Sequence, residues 1–421
     1  MNVHDSELIA GILQEDGFVP VDRPEEAQVV ILVSCAVREH AETRVLGRAA
    51  QLGGLARREA GDTLLVLCGC VAQEHGDRLL ERYPDLDLVV GPDCYRELPS
   101  MLRERVRSCS VEFRPEDYQG VNAVRREFPR AFVTIMRGCD NYCSYCIVPF
   151  VRGRERSRPA VSVVEEVEDL AGRGFREITL LGQNVNSYRD GGTMFPELLG
   201  MVSVSAGSAW VRFVTSHPKD IRADTVEVMA ASGNICRQLH LPFQSGSDAV
   251  LRRMNRGYTS SQYMEKIAML REAMPEIVLS TDVIAGFPGE TEKDFMRTVG
   301  MLEEVRFDYA FLFRYSERKG TAAAEMDGQL PEEERLRRLG VLQELQRSMT
   351  EARSRRLLGR ELDVLITGPA KRPGQQAGRT GGNRMVVLEG TDYPPGSFVR
   401  VRITGADGWT HFGEPVEGKG T

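Results

Sequence analysis

Three cysteines spaced Cys-x-x-x-Cys-x-x-Cys, at Cys139, Cys143 and Cys146, are the residues of this chain best suited to do chemistry. They stand in the run from Arg137 to Cys146, directly after the apolar segment Ala131–Met136. Thiolates are the usual protein ligands of iron–sulfur clusters, and three of them on one short loop can hold three irons of a cubane. The fourth iron is then open to a substrate or cofactor. A structural zinc site competes with this reading, but zinc wants a closed four-ligand shell. The next fifty or so residues contain no Cys or His to complete one. A disulfide is the weaker competitor, because three clustered cysteines cannot all pair.

The elements that must position this loop can be read along the chain. Residues 1–108 alternate helix and strand: a helical pattern at Asp5–Gln14, a strand Val29–Val33, a helix near Val37–Ala56 and a strand Thr63–Leu67. A short helix near Asp77–Arg82, a strand Leu86–Val90 and a helix Cys94–Arg105 follow. Short apolar runs between amphipathic helices predict an α/β domain, a parallel sheet wound on both faces. Such a domain normally opens with a strand and this one opens with a helix, so a first strand is expected to be missing. The polar stretch Glu112–Arg130, with Pro115 and Pro129, predicts a linker over 109–130.

Six further strands are expected near Ala131–Met136, Glu177–Leu181, Trp210–Thr215, Gln238–Leu241, Ile277–Ile284 and Tyr309–Phe313. Between them lie helical segments such as the one with Val163, Val164, Val167 and Leu170 on one face, stopped by Gly172 or Gly174. Six β-then-α units within 131–350 predict an open, partial barrel whose site gathers at the strand C-terminal ends. The cysteine loop follows the first strand. The loops after the others carry Gly182–Ser187, Ser216–Pro218, Pro242–Ser247, Gly286–Glu290 and Tyr315–Thr321. Ordinary turns would explain each alone. Six such loops on the rim that bears the cysteines favour one shared pocket.

A long helix with Leu336, Leu339, Leu342 and Leu345 runs to about Leu358, its leucines serving as core or domain-packing residues. In the tail, 351–421, alternating stretches Glu361–Ile366, Met385–Leu388 and Phe398–Ile403 between Gly/Pro-rich turns predict a small β-barrel. It carries Lys371, Arg372, Arg379, Arg384, Arg400 and Arg402, which suit either a solvated surface or RNA. The chain as a whole is acidic, with Lys+Arg 54 against Asp+Glu 61 and a net charge of -7, so RNA contact must come from local patches. No apolar run long enough for a membrane span and no secretory signal is present, which predicts a cytoplasmic enzyme.

The motifs, taken as a set, resemble the radical S-adenosyl-L-methionine (SAM) methylthiotransferase family. The resemblance rests on Gly138-Cys139…Tyr145-Cys146-Ile147-Val148-Pro149, Arg152-Gly153-x-Glu155-x-Ser157-Arg158, Leu181–Tyr188 and Ser216-His217-Pro218. It rests equally on His240-Leu241-Pro242-x-Gln244-Ser245-Gly246-Ser247 and on Thr281-Asp282-x-Ile284-x-Gly286–Thr291. It covers essentially the whole chain, and the opening Met1-Asn2-x-x-Asp5-Ser6-Glu7 with Val185–Tyr188 is similar to the tRNA-modifying type. The tail resembles the small RNA-binding barrel called TRAM.

What the resemblance implies is specific. A 4Fe-4S cluster on Cys139, Cys143 and Cys146 would bind SAM through its open iron and cleave it to a 5′-deoxyadenosyl radical. Tyr145 would lie by the adenine, Gly286, Pro288, Gly289 and Glu290 would approach the nucleoside, and Gln183 and Asn184 would make polar contacts to SAM. The implied substrate is tRNA carrying N(6)-dimethylallyladenosine next to the anticodon, methylthiolated at C-2, with a second SAM giving the methyl group. The implied partners are tRNA and an electron donor such as flavodoxin or ferredoxin, the enzyme acting as a monomer away from membranes.

The family also holds a second, auxiliary 4Fe-4S cluster on three cysteines. Two are matched, by Cys35 in the run Val33–Glu39 and by Cys70 in Cys68-Gly69-Cys70-Val71-Ala72-Gln73. The third lies two places before the position matching Met1 and is expected to be absent from this chain, in keeping with a late-assigned start, a truncated form or a degenerate copy. Cys68, two residues from Cys70, could stand in only if both shared one face of a strand; it is read instead as a buried strand residue, and Cys94, Cys109 and Cys236 as inert. Two other functions remain: methylthiolation of a ribosomal-protein side chain, whose catalysts usually carry Lys where Met1 stands, or an RNA-binding homologue impaired in sulfur insertion.

Overall fold

The computed structural model describes residues 1–36, 39–58 and 63–416; Val37 and Arg38 of the Cys35 motif, and the last five residues of the tail, lie outside the described residues. The chain divides into two compact units. One comprises Met1–Arg126, Met136–Tyr142 and Cys146–Arg158, the other Glu127–Ile135, Cys143–Tyr145 and Pro159–Thr421. Among the described residues no helix is long and apolar enough to cross a membrane.

The first unit is built on four parallel strands in consecutive order, Val29–Ser34, Leu64–Gly69, Leu88–Val90 and Ser108–Ser110. Alternate residues face opposite sides of a strand, and both sides are covered. Leu65 and Leu67 pack with Ala49, Leu52, Val71 and Leu79 on one side. Val66 and Cys68 pack with Leu8, Ile9, Ile12, Leu98 and Leu102 on the other. The expected winding on both faces is therefore present. The opening helix runs Asn2–Glu15; it buries Leu8, Ile9 and Ile12 in the apolar core, and also His4, Asp5, Glu7 and Gly11. The stretch expected as a linker has no helix or strand from Val111 to Pro129, yet it is tied down. Tyr118 is buried, stacks on Tyr95 and donates its hydroxyl hydrogen to the Pro92 carbonyl at 2.7 Å.

The second unit holds the six expected strands. Arg130–Thr134, Glu177–Leu181 and Trp210–Phe213 form one parallel sheet; Gln238–His240, Val278–Ala285 and Tyr309–Arg314 form the other. A bridge from Val211 to Ile235 joins the chain between them. The helix expected around Val163 spans Ala160–Gly172 and buries Val163, Val167 and Leu170. The long helix, Glu332–Arg355, corrects one expectation: its buried residues are Arg335, Arg338, Leu342, Gln346 and Ser354, while Leu336 is exposed.

The tail closes as a five-stranded barrel, ordered Glu361–Pro369, Gln375–Thr380, Met385–Glu389, Thr410–Pro415 and Phe398–Asp407. It docks where the partial-barrel strands begin. Trp210 meets Phe398 with ring centroids 4.8 Å apart, and Tyr309 meets Trp409 at 4.3 Å. Buried Arg212 donates to the carbonyls of Gly381 and Thr380 at 2.7 and 2.8 Å, and to Glu177 at 2.7 Å. Arg384, buried beneath Trp409, pairs with Asp308.

Candidate functional site

In the first unit, parallel pairing of Ser34 with Gly69 brings two adjacent strands to the same end, so that Cys35 and Cys70 follow neighbouring chain positions. Gly69 has φ +99, and a Cβ there would stand 2.5 Å from the Ser34 carbonyl oxygen; only glycine lets these strand ends approach. Cys70 is the first residue of the helix Cys70–His75 and is 3% exposed. The strand has ended by then, so Cys68 does not share its face: Cys68 packs in the opposite core layer. Burial pushes the Cys68 thiol far up, and pushes those of Cys109 and Cys236 up to about 12.

Around Cys70 lies a buried charge network. Arg152 Nε donates to Cys70 Sγ at 3.0 Å, and Arg152 Nη2 to Asp5 Oδ2 at 2.5 Å. Arg137 reaches Asp5 Oδ1 at 3.4 Å and lies over the Tyr118 ring. Burial alone would raise the Asp5 pKa, but the two guanidiniums overcome it and hold the carboxyl well below the usual range. The arginines after the cysteine loop thus point inward or are paired. Arg156 holds Asp93 at 2.8 and 2.9 Å, Arg158 is buried, and exposed Arg154 pairs with Asp140 at 2.8 Å.

Cys139 and Cys146, both half-buried, belong to this unit. The backbone N–H of Cys139 donates to the Gly153 carbonyl at 3.1 Å, beside a two-residue antiparallel pairing of Met136–Arg137 with Arg156–Ser157.

Cys143 and Tyr145 belong to the second unit. Ser144 between them is stitched down by three bonds: its N–H to the Met254 carbonyl, its hydroxyl to Arg253 O at 2.8 Å, and its carbonyl from Ala323 N–H. Buried Arg256 donates to Cys143 Sγ at 3.3 Å, to the Tyr145 hydroxyl at 3.4 Å and to Pro242 O at 3.0 Å. The Tyr145 ring meets Phe287 edge-on, so the structure brings Tyr145 to the Gly286–Glu290 loop. In that loop Glu290 turns inward. Its Oε2 accepts from Gly286 N–H and from Arg338 Nη1, both at 2.7 Å, pinning the loop to the long helix. Burial raises its pKa, opposed by Arg338.

Gln183 and Asn184 stand after the second strand, and Asn184 is anchored by donating to Asp220 at 2.7 Å. Gln183 Oε1, Asn184 Oδ1, both side-chain polar atoms of Asn186, Ser216 Oγ, His217 Nε2 and Gln244 Oε1 are buried with no hydrogen-bond partner among the described residues. Buried polar groups are normally satisfied. This many orphans on the loops after three successive strands fit a polar ligand rather than a packed core. His217 is a residue the motif contained but to which the sequence assigned no role. Its Nδ1 accepts from Lys219 N–H at 3.3 Å, so the neutral ring carries its hydrogen on the unpartnered Nε2. Burial, then Arg256 and Lys219, hold its pKa down at about 2. Arg256 and the inward role of Arg152 were also missed; a single sequence does not distinguish a buried arginine from a solvated one.

Three family models match successive parts of the chain. The Radical SAM superfamily model matches residues 133–302, the family described as Uncharacterized protein family UPF0004 matches 1–91, and the TRAM domain matches 355–416. A protein of Chlorobium luteolum named tRNA-2-methylthio-N(6)-dimethylallyladenosine synthase is 45% identical, covering 98% of this chain and 94% of its own length. Proteins of the same name from Chlorobium limicola and Moorella thermoacetica are 46% and 43% identical, each covering 99% of this chain and 96% of their own. Among solved structures, the radical S-adenosylmethionine methyltransferase TsrM from Kitasatospora setae superposes with a TM-score of 0.61 at 15% identity, over 90% of this chain and 78% of that one. That likeness concerns the fold alone.

Proposed function

We propose, from the premise that this chain belongs to the radical SAM family of tRNA-2-methylthio-N(6)-dimethylallyladenosine synthases, that it methylthiolates C-2 of N(6)-dimethylallyladenosine in tRNA. The observation that carries the reading is the buried, orphaned polar rim on the unit that holds Cys143 and Tyr145. Thiolate donors are right for iron–sulfur chemistry, and the rim is right for a polar nucleoside and amino-acid ligand such as SAM. Cys139, Cys143 and Cys146 would hold one 4Fe-4S cluster; Cys35 and Cys70 would contribute to an auxiliary one. Bound there, cluster and SAM supply one-electron chemistry able to activate an unreactive aromatic C–H bond.

The chain's own residues bind and orient. Tyr145, held by Arg256 and packed on Phe287, would lie by the adenine of SAM. Gln183 and Asn184 offer carbonyl oxygens as acceptors, and His217 offers a neutral N–H donor. Glu290 acts indirectly, fixing the Gly286–Glu290 backbone through Arg338. The reading calls for a one-electron donor of the flavodoxin or ferredoxin kind, and for action in the cytoplasm as a monomer.

The test is nucleoside analysis. Anaerobically reconstituted protein, given SAM, a reductant and tRNA bearing unthiolated N(6)-dimethylallyladenosine, should yield the 2-methylthio nucleoside by mass spectrometry, and Cys143→Ala should yield none. Formation of 5′-deoxyadenosine with no methylthio product on that tRNA would overturn the assignment.

A further inference from the structure

Each unit buries a guanidinium against a cysteine thiol, and among the described residues the carboxylates balance the charge in neither place. Arg256 is 5% exposed, and its hydrogen bonds run to Cys143 Sγ, Tyr145 Oη, Tyr258 Oη and Pro242 O, with no carboxylate among them. In the first unit Arg152 and Arg137, 3% and 2% exposed, share one carboxylate among the described residues, that of Asp5. Two atoms of Arg137, Nε and Nη1, are buried with no partner among the described residues. A buried cation without a counter-ion costs several kcal/mol, of the order that unfolds or neutralises it, and an arginine does not neutralise. Both places therefore call for a resident anion at the thiol. A cysteine sulfur ligating iron is held as the thiolate, and that negative sulfur supplies one at each place.

We infer that Arg256, through Cys143, and Arg152, through Cys70, each set the reduction potential of a different iron–sulfur cluster. The inference rests on the proposed cluster ligands. The physical basis is direct: hydrogen bonds to ligating sulfur and nearby net charge are two of the main determinants of cluster potential. An N–H donor and a fixed positive charge both favour the reduced, more negative state. Each arginine should hold its own cluster at a higher potential than bare thiolates would, and neither should act on the other. Asp5 opposes Arg152, being the anion that offsets part of its charge. The arginines touch no substrate in this scheme; they are tuning residues acting through a ligand.

The experiment is a redox titration of the full chain followed by electron paramagnetic resonance. One cluster is observed at a time, the other being removed by Cys70→Ala or Cys143→Ala. Arg152→Gln should lower the potential of the auxiliary cluster and leave that of the SAM cluster where it was; Arg256→Gln should do the reverse. Asp5→Asn, nearly identical in shape, should raise the auxiliary potential. That opposite sign separates charge tuning from loosening of the fold, which would move both first-unit variants the same way. If Arg256→Gln does not fold, Arg256→Lys, which keeps the charge but loses the planar donor, should show a smaller downward shift. Unmoved potentials, a common shift of both clusters, or a fall with Asp5→Asn would overturn the inference. Failure of Cys70→Ala and Cys143→Ala to reduce bound iron would instead overturn the ligand assignment beneath it.

Discussion

Arg338 and His217 show how much of this protein rests on side chains that never meet solvent. Arg338 is the cation facing Glu290, whose carboxylate is fully buried. Removing one partner of such a pair strands the other, at about 3–5 kcal/mol. Arg338→Ala should lose about that much in urea unfolding, and Arg338→Lys should recover only part, because a lysine cannot hold the Glu290 carbonyl and carboxylate as the guanidinium does. His217 carries a pH signature. Unfolded, it takes up a proton near pH 6.5; folded, only near pH 2. The unfolded state thus binds more protons across that window, and the ring's contribution to stability is lost progressively as pH falls below 6.5. Urea midpoints on both sides of that pH should show a smaller acid loss for His217→Gln than for the parent. Neither role could be read from sequence, since burial of a polar side chain depends on what folds over it. The cysteines differ in that their spacing is itself a signal, and the proposed ligand set rests on it.

The helices and strands were readable to different degrees, for reasons visible in particular elements. The six partial-barrel strands are short apolar runs and were found within a few residues. Gln375–Thr380 and Thr410–Pro415 were not, because runs such as Gln-Gln-Ala-Gly-Arg-Thr lack an apolar alternation and become strands only by pairing in the closed tail barrel. The leucines of Glu332–Arg355 misled for a geometric reason. Steps of three fall about 60° short of a full turn each time, so Leu336 to Leu345 fan across roughly half the helix surface, and only part of that fan can be buried. Two element-level predictions follow from close approaches. Gly138, at φ +79, precedes Cys139, and a Cβ there would run into the Arg154 carbonyl. Left-handed backbone alone costs a non-glycine residue about 1–2 kcal/mol, and the clash adds to it, so Gly138→Ala should lower iron and acid-labile sulfide per chain after reconstitution. Arg212→Ala should leave Glu177 buried and unpaired and release the Thr380–Gly381 turn. A loss of about 3–5 kcal/mol in denaturant unfolding is expected, with faster proteolysis of the tail.

Taken as a whole, the chain's sequence set out its three kinds of domain but misjudged where its positive charge is free. Of the six basic residues that the sequence singles out in the tail, Arg384 is internal, Arg400 and Arg402 pair with Asp363 and Glu361, and Arg379 donates to Asn383 at 2.7 Å. Lys371 and Arg372 remain, exposed in the turn before Gln375–Thr380 and in no ion pair among the described residues. Phosphate contacts by such residues release counter-ions and weaken steeply with salt. Reversing both, Lys371→Glu with Arg372→Glu, should reduce tRNA affinity about tenfold at moderate salt and flatten its salt dependence, measured by filter binding, with SAM cleavage in the absence of tRNA unchanged. The docking of the tail also bears on how long an RNA must be to meet both tail and loops. It is fastened where the partial-barrel strands start, whereas the polar loops lie where they finish, and strands of three to eight residues separate the two ends, about 10–26 Å at the usual rise. A lone nucleoside is too short to span that distance. Only a polynucleotide long enough to run down the side of the barrel can be gripped at both ends, so short anticodon fragments should lose the tail's contribution to affinity before they lose access to the loops.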